Sequence, residues 1–186
     1  MRYILAATCL FLAVDVEAVI VAGGDGTQNT TAPPGGQGWD YVGRITGSAP
    51  SGVTYVSNNW FITAHHIKVL DNPTGVELGG STYSIDSASW TRLQNSVGGD
   101  ADLTMFRVQE SVGLSGLSLA ALPAAPGTAL TLIGNGRNRA ATETAWNSSW
   151  EESPPYVYSG YKWAAGSSKR WGENAWEASA GLVDDG

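Results

Sequence analysis

From residue 39 onward, apolar and polar positions alternate with a period of two. WDYVGRIT (39–46), VTYVS (53–57) and WFIT (60–63) read as strands, with the turn sequences APSG (49–52) and NN (58–59) between them. GVELGG (75–80), STYSIDS (81–87) and SWTRL (89–93) are predicted as further short strands. LTMFRV (103–108) is a compact apolar strand, and ALTLIGNG (129–136) a strand that runs into a glycine turn. No long segment carries a 3.6-residue period. Closely spaced short strands of this kind predict an all-β barrel or sandwich.

The rest of the chain is less patterned. Residues 22–38, AGGDGTQNTTAPPGGQG, read as an extended loop or a mobile arm. Residues 111–128 are rich in Ser, Leu, Ala, Pro and Gly and read as a crossing between two halves. Residues 137–186 are polar and rich in tryptophan, with weakly marked strands; in SGYKWAAGSSKRWGENAW (159–176) the rings are expected to pack on a sheet under the stems of Lys162, Lys169 and Arg170. No repeat of fixed period suggests a propeller or solenoid.

Composition narrows the function classes. The 186 residues are 42% hydrophobic and 15% charged, with 24 glycines, which suits one globular domain with many turns. The net charge of −7, with ten scattered Lys and Arg, leaves no basic stripe for a phosphate backbone, so no nucleic-acid partner is expected. The first residues, MRYILAATCLFLAVDVEA, have a positive start, a short apolar core and a small-residue cleavage site, and read as a signal peptide of residues 1–18. The single cysteine, Cys9, lies within it, so the processed chain is expected to hold no disulfide and no cysteine metal site.

Candidate chemistry centres on NNWFITAHHIKVL (58–70), which holds both histidines, His65 and His66. Imidazole titrates near neutrality and serves as a general base when a carboxylate fixes its tautomer. GGDADLTMFRV (98–108) offers Asp100 and Asp102 at the mouth of an apolar strand. A zinc pair is not expected, because neighbours on an extended segment point opposite ways and cysteine ligands are lacking. Taken alone, the histidines could be packed or surface residues and the aspartates loop carboxylates. Asn29 and Asn147 begin triplets that match glycan acceptor sites.

WFITAHHI resembles the Trp-apolar-apolar-Thr-Ala-Ala-His-Cys segment of chymotrypsin-like serine proteases, DADLTMFRV resembles their aspartate segment, and GNG (134–136) resembles the Gly-x-Gly element early in their second barrel. The likeness covers residues 39–136. Aligned on Thr63 and Ala64, it implies His66 as the catalytic histidine, with His65 at an alanine position. Asp102 falls on its aspartate partner, and Asp100 on an exposed residue. The two are 36 residues apart, against roughly 45 in the family. Ile67 stands where the family has a cysteine, and VIVAGG (19–24) only faintly resembles the family's Ile-Val-Gly-Gly start.

The resemblance implies an all-β fold of two packed antiparallel barrels, the second incomplete: a Gly/Pro/Thr-rich arm over 19–38, then a protease domain over 39–186, with a first barrel about 39–110 and a partial second about 125–186. It implies a serine endopeptidase that acts on a polypeptide substrate, secreted or periplasmic, monomeric, off the membrane after signal cleavage, with no cofactor and no metal. No Gly-Asp-Ser-Gly-Gly occurs in the chain. The family places its serine roughly 90 residues after the aspartate, so the expectation is a fragment cut before its nucleophile and inactive as it stands. The alternative is a pseudoprotease, or a β-rich binding module that uses its eight tryptophans and seven tyrosines as a surface.

Overall fold

The computed structural model of the chain describes residues 21, 23–47, 51–121 and 124–177. The signal peptide, Cys9 and the final GLVDDG lie outside the described residues. A 3₁₀ turn, η1 (Trp39–Tyr41), is followed by β1 (Val42–Thr46), β2 (Gly52–Ser57), β3 (Trp60–Thr63), α1 (His65–Asp71), β4 (Gly75–Leu78), β5 (Ser81–Ser84), β6 (Thr91–Gln94), β7 (Asp100–Arg107), β8 (Ala129–Trp146) and β9 (Tyr158–Ala175). The fold is all-β apart from the single helical segment α1 and η1.

The first seven strands form one antiparallel sheet, ordered β5-β4-β1-β2-β3-β7-β6. The sheet curls until β5 reaches β7: Ile85 bridges Val108, and the amides of Asp86 and Gln109 donate to the carbonyls of Arg107 and Ser84, each at 2.9 Å. β5 and the end of β7 therefore meet in a short seam rather than a continuous ladder. Period-two alternation sends one face inward. Tyr55 pairs with Phe61 and Phe61 with Phe106 across β2, β3 and β7, and these side chains are at most 2% exposed. Phe61 and Phe106 lie 5.8 Å apart and nearly parallel, and Trp90 closes the row 4.4 Å from Phe106. Burial of these rings contributes about 1.5–3 kcal/mol each. The two buried threonines of the same face are satisfied: Thr63 donates to the Gly52 carbonyl and Thr104 to that of Thr91.

The second sheet is a two-stranded ribbon, β8 against β9, paired from Ala129↔Ala175 to Trp146↔Tyr158. It meets the first sheet where Gly52 approaches Asn135: a Cβ on Gly52 would lie 2.8 Å from the Asn135 carbonyl oxygen, so only glycine allows the contact. Lys169 of β9 reaches across, donating to the carbonyls of Trp39 and Val42 at 2.8 and 2.9 Å, with its ammonium 4.4 Å from the Trp39 ring centre. Burial lowers the Lys169 pKa, and the charge of Asp40 opposes that shift.

Two expectations change here. The arm is docked rather than loose. Arg139 donates to the carbonyls of Val21, Gly23 and Gly24, Arg170 to that of Gln28, and Trp171 to that of Thr31. Second, the charged heads of this segment are engaged elsewhere than on its tryptophans. Lys162 pairs with Glu152, Lys169 covers Trp39, and Arg139 covers Tyr161 at 3.8 Å. Among the described residues, no helix is long and apolar enough to cross a membrane.

Candidate active site

The sheet register assembles the site. β3 and β7 run antiparallel, with Thr63 opposite Thr104. Beyond that pair the chain continues in opposite directions along the same edge, so residues just after Thr63 meet residues just before Thr104. His66 and Asp102 fall there. The strand also starts earlier than the apolar pattern indicates: β7 begins at Asp100, so both aspartates belong to it.

The histidines open α1, not an extended segment as the sequence reading assumed. The N-cap position is Ala64, whose side chain cannot accept a hydrogen bond from the first turn. Asp102 takes that role from β7: its Oδ1 accepts the His66 backbone N–H at 2.9 Å, while Oδ2 lies 2.6 Å from His66 Nδ1. One carboxylate thus caps the helix and holds the ring. Ile67, where the resembled family has cysteine, is 2% exposed and turns into the core. It anchors the first turn by packing.

Burial raises the Asp102 pKa, but hydrogen bonds from the His66 ring and backbone, together with the His65 backbone, outweigh it and hold the carboxyl below its ordinary value. The side chain is 58% exposed, more open than the buried carboxylate the sequence reading expects of a histidine partner. At neutral pH Asp102 is therefore a carboxylate and only accepts. An accepting carboxylate assigns a proton to Nδ1, so in the neutral tautomer the lone pair stands on Nε2. His66 Nε2 is buried and has no hydrogen-bond partner among the described residues. An unpaired buried acceptor costs about 1–3 kcal/mol. The geometry offers a base whose second ring nitrogen is unengaged.

The other candidates fall elsewhere. Asp100 forms an exposed ion pair with Arg92 at 3.1 Å. His65 Nδ1 is buried without a partner among the described residues and does not meet Asp102 through its ring. The described residues contain no group of three or more His, Cys, Asp or Glu able to hold a metal ion. The amides of Asn29 and Asn147, the two glycan-acceptor candidates, both donate hydrogen bonds within the fold. A polar cleft of about 310 Å³ lies between the two sheets, lined in part by Arg44, Glu77, Asn135 and Lys169. Its cations are engaged, Arg44 by Glu77 and Lys169 by the two carbonyls. Sequence reasoning missed the main-chain donor of His66, because a backbone N–H carries no side-chain signal, and the arm-binding arginines, because they lie in no recognisable motif.

No known protein family matches the chain, and no curated protein does. Among solved structures the chain is similar to Rv3671c from M. tuberculosis H37Rv, a serine-to-alanine mutant in its inactive form. The identity is 15% and the TM-score 0.42, and the match covers 70% of this chain and 65% of that one. The chain therefore spans less than two thirds of that chain's length, and a likeness this loose carries no argument about fold or function.

Proposed function

We propose that His66 and Asp102 are the base half of a serine endopeptidase centre. The observation that supports this most is the His66–Asp102 contact of 2.6 Å on Nδ1, with Nε2 left buried and unpartnered. In the proposed reaction a serine hydroxyl stands at Nε2. His66 takes its proton as the oxygen attacks a peptide carbonyl, then returns it to the leaving amine. Asp102 fixes the tautomer and stabilises the imidazolium without itself taking the proton. Among the described residues no serine donates to Nε2, so the nucleophile is part of the proposal. A polypeptide substrate, monomeric action outside the cytoplasm, and a protease domain over 39–186 with two barrels belong to the same reading.

A fluorophosphonate probe tests it, with the labelled residue mapped by mass spectrometry. The reading expects one serine to be labelled in a form of the protein that contains the nucleophile, and labelling to fall at least about 10³-fold in the His66→Ala variant of that form. An intact protein that never labels supports the second reading, a pseudoprotease or binding module. Exposed Trp150, Tyr156 and Tyr158, on and beside the β8–β9 ribbon, are the observation that favours a binding module.

A further inference from the structure

The far end of the β8–β9 ribbon carries rings that no core explains. Trp150 is 67% exposed, Tyr156 57% and Tyr158 44%. Trp150 stacks on Tyr158, with ring centres 4.7 Å apart and planes at 14°, and Trp146 lies 6.1 Å from Trp150. The arrangement is built. Asn147 Oδ1 accepts the amides of Ser149 and Glu151, and its Nδ2 donates to Glu151 Oε2 and Ser153 Oγ. The Trp150 amide donates to the Asn147 carbonyl, and that of Val157 to Trp146. This frame holds Trp150 at φ 61°, a left-handed conformation that is a genuine outlier for so bulky a residue. Backbone strain of this kind persists where surrounding structure over-determines it, and it concentrates at ligand-holding positions. Here it presents a tryptophan to solvent rather than burying it.

The charge around the rings selects the partner. Between residues 143 and 162 the chain has Glu143, Glu151 and Glu152 against one cation, Lys162. Lys162 is taken by Glu152. Glu151 is held in place by the Asn147 amide and meets no cation among the described residues. Exposed indole and phenol faces beside an uncompensated carboxylate suit a guanidinium or ammonium group, by cation–π contact and charge together. The same carboxylates repel an anionic membrane or nucleic acid.

We propose that this tip is a docking surface for an arginine- or lysine-bearing segment of a partner polypeptide, with Trp150 as the stacking platform and Glu151 as the counter-charge. The surface is separate from the His66 site and stands whether or not that site is catalytic.

Titration of the whole protein with a soluble arginine–glycine octapeptide tests the proposal, with calorimetry or tryptophan fluorescence as the readout. Saturable binding is expected, weakened by added salt. It should fall about ten-fold in Trp150→Gly and about three-fold in Glu151→Gln. Trp150→Gly should melt no lower than the parent, because glycine accepts the left-handed backbone freely. No binding of the peptide, or binding indifferent to both substitutions, overturns the proposal. So does a neutral oligosaccharide that binds in place of the peptide with the same dependence on Trp150, which makes the tip a sugar platform. A Trp150→Gly protein that melts lower while still holding the peptide makes the ring a structural plug and overturns it as well.

Discussion

The curled sheet and the ribbon are both antiparallel, yet they are held by opposite means. The buried hydrophobic core among the described residues runs from Val42 to Val108, on the first sheet, its Ile85–Val108 seam and Ile67 of α1. The buried side chains of the ribbon are two arginines, Arg139 and Arg170. The first region has a core that excludes water. The second is stapled to the arm and to the first sheet by cations that read main-chain carbonyls. A two-stranded ribbon is marginal alone, so its order depends on those polar ties. The His66–Asp102 site stands on the apolar half, whose register is fixed by burial. The aromatic tip stands on the polar half.

The contrast can be broken most forcefully from the core side. Phe61→Ala removes the centre of the Tyr55–Phe61–Phe106 row and should cost about 3–5 kcal/mol in urea unfolding, with the whole first sheet lost together. A cost under about 1 kcal/mol would mean that the row is not the core. Arg139→Ala comes next. It strands carbonyls of Val21, Gly23 and Gly24 and should cost about 1–3 kcal/mol. Hydrogen exchange should rise over residues 23–31 and the ribbon, while the first sheet stays protected. Uniform exchange across both sheets would show that the two halves are not held separately. The smallest effect is expected at Arg44→Ala. Its ion pair with Glu77 spans β1 and β4 at 2.6 Å, but the side chains are 43% and 38% exposed, so the loss should stay within about 0.2–1 kcal/mol and shrink further in salt.

The same contrast explains what could be read from the chain. β2, β3 and β7 are legible because Val53, Tyr55, Phe61 and Phe106 must alternate with outward residues to bury one face. The later strands are legible only where ALTLIGNG opens β8, and the glycine turn expected there is continuous strand. β8 and β9 each run 18 residues, but stretches such as GNGRNRAAT and GSSKR put small and polar residues on both faces, so no period of two appears. Their order comes from the ladder and from arginine contacts with residues more than 100 positions away. At the site, His66 and Asp102 were legible as residue types in a spaced pair. The helix that begins at His65 was not, since seven residues are too few to display a 3.6-residue period. The main-chain N–H that completes the Asp102 contact has no sequence signal at all.

The central claim is that Asp102 holds the proton on His66 Nδ1 and leaves Nε2 as the base. Nitrogen-15 spectra of the histidine rings test this directly. For the neutral ring the account predicts a protonated Nδ1 and a bare Nε2 on His66. The Asp102 carboxylate is held below its ordinary value, so its contribution is present above the usual aspartate range. As pH falls through that lowered value the carboxylate is lost and its contribution with it; the Nδ1 proton stays on the ring, but its hydrogen-bonded shift should collapse. A proton found on Nε2 of the neutral ring, or an Nδ1 signal unchanged in Asp102→Ala, would contradict the account.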